Sequence, residues 1–462
     1  MGLHFNLVGM FGLCMVTMLW QAAWGNSWLI AFALCCLWLC WCWRKHKSLV
    51  PDAILLTAFL MNLWYVLGSW GNVRQHDYFN FFMHADYFIR HDFFLSRPID
   101  YLQEAYFQPP LWGLICALIT KLMMVLGYSK ELGFDFVRFI SLFAVSGCGI
   151  IFWRIIKLFD IRENIRLGIF TLFVFLPING IMANLVNNDT MVYFLMMLVI
   201  YQTFLWFENG SWRQVFYISG LLFLGAMIKF SALMLMPALG ILGLYKLIKS
   251  PNKLSSKLWG QFFVVGVSAV LGFSWGILLL YHGLPLTPPP LNNEYQSIAQ
   301  YGFFEKMFIT DMVAVPFADV RAGQLEPNVW ISLIKTSLFG EWTWKSLFLG
   351  YVLYALGIIL AVAVVGSFIF LFRKKFADNV AYNIFFVVLV ISVLGAWGNF
   401  WIDYPYFCST EFRYVIILLP MSMLWLAFYL QNKSLPNVLN YTLAGGVFLM
   451  IFARFMLYLY TI

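Results

Sequence analysis

The sequence predicts an all-α polytopic membrane protein of about 13 transmembrane helices, and three observations carry that expectation. Hydrophobic residues make up 62% of the 462-residue chain, aromatic residues 20% and charged residues only 11%. With a mean hydropathy of +0.81, no soluble globule of this size has such a composition. Apolar runs long enough to cross roughly 30 Å of hydrocarbon recur along the whole chain. Helices satisfy their own backbone groups in lipid, and the runs are too long for barrel strands. Finally, Lys and Arg fall in short clusters that alternate with the apolar runs, the pattern of cytoplasmic loops.

Taken in order, the first run, 5–24, has no Lys or Arg before it and no small-residue cleavage site, so it reads as a retained helix. Further spans are expected at 27–43, 50–70, 136–156, 166–185, 190–207, 214–229, 231–248, 260–281, 348–372, 379–398, 412–430 and 437–459. Placing Arg44/Lys45/Lys47, Arg154/Lys157/Arg162/Arg166, Lys246/Lys249/Lys253/Lys257 and Arg373/Lys374/Lys375 in the cytoplasm puts the N-terminus inside. Segment 111–127 does not fit as a crossing, because it would export the Arg154–Arg166 cluster. It reads as a re-entrant or juxtamembrane helix started by Pro109 and Pro110. The chain then divides into a transmembrane module, 1–281, with an outward loop at 71–135. A second outward loop, 282–347, and C-terminal helices, 348–462, complete it.

The net charge of +8 is explained by topology, and nucleic acid is not an expected partner. Eight cysteines lie mostly inside apolar runs, in no disulfide or zinc pattern. Cytoplasmic loops contain no P-loop or dinucleotide fingerprint.

Chemistry is expected where charge is out of place. Residues 75–112, QHDYFNFFMHADYFIRHDFFLSRPIDYLQEAYFQPPLW, concentrate Asp77, His84, Asp86, Arg90, His91, Asp92 and Glu104 at the bilayer boundary. No Pro or Gly interrupts 77–91, so a surface helix is expected, and the seven-residue spacing of Asp77, His84 and His91 places them on one face. A carboxylate flanked by imidazoles can act as a general base. Asp86 and Asp92 read more simply as caps of an amphipathic helix, and from the loop alone Asp77 stays open between the two roles.

Three other outward features converge on the same side. Asn187, Asn188, Asp189 and Thr190 interrupt apolar spans. Lys229, in GAMIKFSALMLMPALG, falls at a turn between two apolar halves, where an ammonium suits phosphate or simply snorkels. Arg413, in EFRYVIILLP, could likewise hold phosphate or anchor at the interface. The second loop, with LPLTPPPLNN at 284–293 and Glu294, Glu305, Lys306, Asp311, Asp319, Arg321, Glu326 and Glu341, reads as a lid, an acceptor platform or a plain connector.

In sequence order, an outward Asp after a helix, the His- and Tyr-rich segment, EAYFQPPLW, NNDT, GAMIKFSALMLMP, SLFGEW and RYVIILLP resemble the GT-C superfamily of lipid-linked-sugar glycosyltransferases. The branch is that of protein O-mannosyltransferases and the aminoarabinose transferase of lipid A. The resemblance runs from about residue 64 to 420 and implies a GT-C-like bundle with juxtamembrane helices in the first outward loop. It implies Asp77 as catalytic, Asp189 near acceptor or donor phosphate, Lys229 and Arg413 near the polyprenyl phosphate, and His84, Glu104 and Gln108 lining the cavity. The pattern departs at His76 and Tyr78, where many relatives pair two acidic residues. His84, His91 and Glu104 could ligate a divalent ion, but their spacing is no metal signature. No metal and no cofactor is therefore assigned.

The implied reaction moves one sugar from a polyprenyl-phosphate donor to a hydroxyl of a glycan, lipid or protein acceptor, with inversion, on the extracytoplasmic face of a plasma or inner membrane, or the lumenal face of the endoplasmic reticulum. Membrane lipids are the surrounding partners. Two rivals are a lipid-linked glycan ligase or polymerase, for which the second loop supplies Arg321 but no histidine, and a transporter or flippase of a lipid-linked substrate. The latter would need internal repeats and charge at mid-membrane depth, and the sequence displays neither plainly.

Overall fold

The computed structural model describes residues 49–69, 74, 77–93, 108–249, 256–286, 296–308, 315–374, 380–432 and 437–461. Its regular structure is helical throughout, apart from one isolated bridge between Ser297 and Tyr406. In chain order the helices are α1 Val50–Gly68, α2 Tyr78–Arg90, α3 Pro110–Val125, α4 Lys130–Asp135, α5 Arg138–Ile156, α6 Glu163–Phe175, α7 Pro177–Asn184, α8 Asn188–Asn209 and α9 Trp212–Ile228. They continue with α10 Met236–Lys249, α11 Ser256–Gly272, α12 Ser274–Tyr281, α13 Phe303–Phe308, α14 Val329–Phe339, α15 Leu347–Lys374, α16 Val380–Asp403, α17 Leu418–Gln431 and α18 Asn437–Thr461.

Among the described residues six helices are long and apolar enough to cross a membrane, and up to nine if each bent pair counts as one crossing. The expected thirteen is not reached among the described residues. Spans 5–24 and 27–43 lie outside them, while α9 and the apolar stretch Leu443–Leu459 of α18 are shorter than a full crossing. At 16 residues, α3 is also short, about 24 Å at 1.5 Å per residue. It packs on α2, α4 and α9.

The bends have local causes. Pro177 opens α7, and Leu176 before it is extended, at φ −56° and ψ 136°, because a residue preceding proline is pushed out of the helical region. The pair α6–α7 bends there by 41°, leaving carbonyls without helical partners. Arg454 of α18 supplies them, donating to the Phe175 and Leu176 carbonyls at 2.7 and 3.1 Å and also to Asn62 and the Tyr458 hydroxyl.

A second buried arginine ties together the segments that lead into the polar end of the bundle. Arg138 donates to the Val66 and Ser69 carbonyls at the end of α1, at 3.0 and 2.7 Å, and to Asn184 Oδ1 at the end of α7, at 2.8 Å. Its other partner is Asp135. The end of α1 and the end of α7, which precedes Asp189, are thereby pinned to one guanidinium.

The described parts of the connection before α15, 296–308 and 315–346, are packed against their neighbours. Ile298, Ala318, Val320 and Phe407 form a small apolar cluster, and Glu326 and Lys335 pair in a buried position at 2.8 Å. On α14, Ser332 shares a hydrogen bond with Thr410 at 2.7 Å, and Thr336 Oγ1 accepts the Phe412 N–H at 2.9 Å. This connection therefore fixes the short 3-10 turn Phe412–Val415 that carries Arg413.

Candidate functional site

The site is assembled from helix ends. Asp77 sits at the N-cap of α2 in the left-handed region, φ 57° and ψ 8°, a conformation that aspartate tolerates better than most residues but that still carries strain. An N-cap aspartate ordinarily accepts a backbone N–H of the first turn. Asp77 makes no such bond. Its carboxylate accepts instead from Arg413 Nη1 at 3.0 Å and, more distantly, from Asn187 Nδ2 at 3.5 Å.

Asn187 is the N-cap of α8, its Oδ1 accepting the Asp189 N–H at 2.7 Å. That bond holds Asp189 in the first turn, where the helix dipole favours a carboxylate. One Asp189 oxygen takes the Lys229 ammonium, and the other lies 3.8 Å from Arg413 Nη1. Lys229 reaches it because α9 stops at Ile228: the lysine is extended, φ −160° and ψ 135°, before a 3-10 turn, Phe230–Leu235, resumes the path. Gly225 allows this tight return, since a Cβ there would stand 2.9 Å from the Ala232 methyl.

Arg413 is the hub. Besides Asp77 and Asp189 it holds Glu411 Oε1 through Nη2 at 2.8 Å, and its guanidinium and the Lys229 ammonium flank the Tyr414 ring at 5.2 and 4.9 Å from the centroid. Three carboxylates thus face two cations. A fourth, Glu341, approaches through Glu411; burial raises its pKa, disfavouring the anion.

Exposure divides the cluster. The side chains of Arg413, Asp189 and Lys229 are 5%, 6% and 20% exposed, whereas Asp77 is 39% exposed. Asp77 is the carboxylate a large substrate could reach. Beneath the cluster lies a cavity of only about 20 Å³, lined by Asp189, Ser231, Arg413 and Tyr414 among apolar side chains; it is too small for any ligand much larger than a water molecule, so a larger one must approach from the Asp77 side.

The structure therefore brings together Asp77, Asp189, Lys229 and Arg413. Gln108 joins at the edge, its Oε1 accepting Asn188 Nδ2 at 2.7 Å. Glu104 lies outside the described residues. His84 is close enough to feel the Asp77 charge, but it is buried where α2 crosses α3 at Gly113, whose missing Cβ would stand 3.0 Å from the His84 Cβ. Burial pushes its pKa down to about 4, against the opposing pull of Asp77, so it is neutral at ordinary pH.

The expectation of two imidazoles flanking one carboxylate is corrected. Asp77 precedes α2 and His91 follows it, so seven-residue periodicity does not relate them. His91 stacks on Tyr87 at 4.2 Å and its Nδ1 lies 2.7 Å from the Tyr87 carbonyl oxygen. Asp86 is occupied by Lys130 and Arg90 at 2.7 and 3.0 Å, a structural role. Among the described residues no group of three or more His, Cys, Asp or Glu has the arrangement of a metal site.

Sequence reasoning missed Glu411, although EFRYVIILLP contains it, and it missed the buried charges Asp135, Arg138 and Arg454. Glu411 lies two positions before Arg413, a spacing that a 3-10 turn folds back onto itself. Nothing in the sequence distinguishes Arg138 and Arg454 from interfacial anchors. No protein-family model matches the chain, and no curated protein sequence matches it.

Proposed function

We propose that the chain is an integral-membrane glycosyltransferase that moves a sugar from a polyprenyl-phosphate donor to an acceptor hydroxyl, in a GT-C-like bundle of about 13 spans. The observation that supports this reading most strongly is the convergence of Asp77, Asp189, Lys229 and Arg413 from four separate chain breaks into one ion network.

The charges also set a condition on the mechanism. Even without Glu341, the three carboxylates outnumber the two cations by one, so an added phosphate is repelled unless a carboxylate gives way. Asp77 is the exposed partner and shares only one nitrogen of Arg413. In the proposed cycle the donor phosphate takes the place of the Asp77 carboxylate on Arg413 and also engages Lys229. Asp77, released, accepts the proton of the acceptor hydroxyl as its oxygen attacks the anomeric carbon from the face opposite the phosphate. The phosphate leaves with the bonding electrons, and Lys229 and Arg413 stabilise its growing charge.

Internal charge does not favour transport on this reading. Arg138 and Arg454 are fully buried and held by backbone carbonyls and asparagine oxygens, with Asp135 beside Arg138, which ties both to the packing of the bundle. The test is transfer in reconstituted vesicles from a panel of polyprenyl-phosphate sugars. On an accepted donor, Asp77→Asn should lower turnover by about 10²- to 10⁴-fold. Unchanged turnover would remove Asp77 as the base.

A further inference from the structure

We propose a lipid site at the opposite end of α8 and α9: an anionic phospholipid with one acyl chain in the cavity between α8, α9, α10 and α11 and its phosphate against Arg213, Lys249 and Lys257. The site lies about 26 Å from Asp189 along α8, at 1.5 Å per residue, and does not depend on the sugar-transfer reading.

The cavity has a volume of about 270 Å³, near the lower end of small-molecule pockets. Its walls include Trp206, Ile218, Leu239, Trp259 and Phe262. The polar groups on or beside it are already engaged. Trp206 Nε1 donates to Gln261 Oε1 at 3.0 Å, Gln261 Nε2 to the Gly210 carbonyl at 3.2 Å, and Lys246 to the Trp206 and Phe207 carbonyls. The interior therefore suits an apolar chain. Leu244 and Trp259 line the cavity and are also exposed on the bundle surface, so it opens sideways, toward lipid. Gly240 and Gly266 make the space: a Cβ at either position would meet no atom within 4 Å.

The rim selects the headgroup. Arg213 opens α9, Lys249 ends α10 and Lys257 opens α11, all exposed, and these helix ends share one boundary of the bundle. The nearby acid, Glu208, accepts the Tyr382 hydroxyl at 2.6 Å. Three exposed cations above an apolar cavity match a phosphate carried on a hydrocarbon chain. A second copy of the chain is a poorer occupant, because a two-fold contact in the membrane plane would set like cations against each other.

Native mass spectrometry of the delipidated full chain, titrated with phosphatidylglycerol or phosphatidylcholine of identical chains, tests this. Wild type should retain phosphatidylglycerol preferentially. Lys249→Gln with Lys257→Gln should weaken it about 25-fold, about fivefold per cation. Gly240→Leu with Gly266→Leu should abolish retention without lowering the melting temperature, since leucine favours helix over glycine. Equal retention of both lipids, wild-type affinity in the lysine variant, or retention by the filled variant would overturn the proposal. A wild-type dimer that the filled variant loses would assign the surface to a second copy and also overturn it. Should the filled variant fail to fold, the exposed lysine pair still decides.

Discussion

Three buried arginines serve two different ends. Arg138 and Arg454 bond mainly to backbone carbonyls, which cannot move without unwinding a helix, supplemented by Asn184, Asn62 and, for Arg138, Asp135. Arg413 bonds to carboxylates of Asp77, Glu411 and, at longer range, Asp189, side chains that can rotate away. A cation held by fixed dipoles is a cap; one held by mobile anions can exchange them for a ligand. The same contrast separates Lys246, on the Trp206 and Phe207 carbonyls, from Lys229, on Asp189.

If that distinction holds, stability and activity part company among these residues. Asp77→Asn, with its loss of about 10²- to 10⁴-fold in turnover, should leave the melting temperature in detergent nearly unchanged. Arg138→Met should do the reverse, destabilising the fold by about 3–5 kcal/mol because Asp135 and three further oxygens lose their partner, as a thermal melt would show. Equal destabilisation in the two variants would erase the contrast. Next in size, Lys229→Gln should weaken binding of polyprenyl phosphate by roughly 10- to 100-fold, the worth of a hydrogen bond to a charged group, read by titration in micelles.

Smaller effects come from titration. His84 is held neutral with a pKa near 4, below the unfolded value of about 6.5. Between those values the unfolded chain binds more protons, so stability rises with pH across that window and is lost as pH falls through it. His84→Gln should flatten that slope in melts taken from pH 4 to 7. Glu341→Gln should change turnover least, within about threefold, because Glu341 lies behind Glu411 and burial already disfavours its anion.

Much of the helical layout was legible because an apolar run needs no tertiary context: the expected 190–207 and 348–372 correspond to Asn188–Asn209 and Leu347–Lys374. The bends at Phe273 and before Leu418 were not. Asp77, Asp189, Lys229 and Arg413 were legible as charges in apolar surroundings. Their pairing was not, because a 3-10 turn and a left-handed aspartate decide it. His91 misled because periodicity presumes a helix that already contains both residues, and α2 holds neither Asp77 nor His91. Arg454 was invisible because its partner carbonyls exist only once Pro177 breaks the helix 277 positions earlier in the chain.

The exchange of Asp77 for phosphate on Arg413 is the central claim, and the affinity of Asp77→Asn for polyprenyl phosphate tests it most directly. A neutral amide no longer competes for Arg413 and no longer repels the ligand. The account predicts binding at least as tight as wild type while turnover is lost. Binding that disappears together with turnover would contradict it.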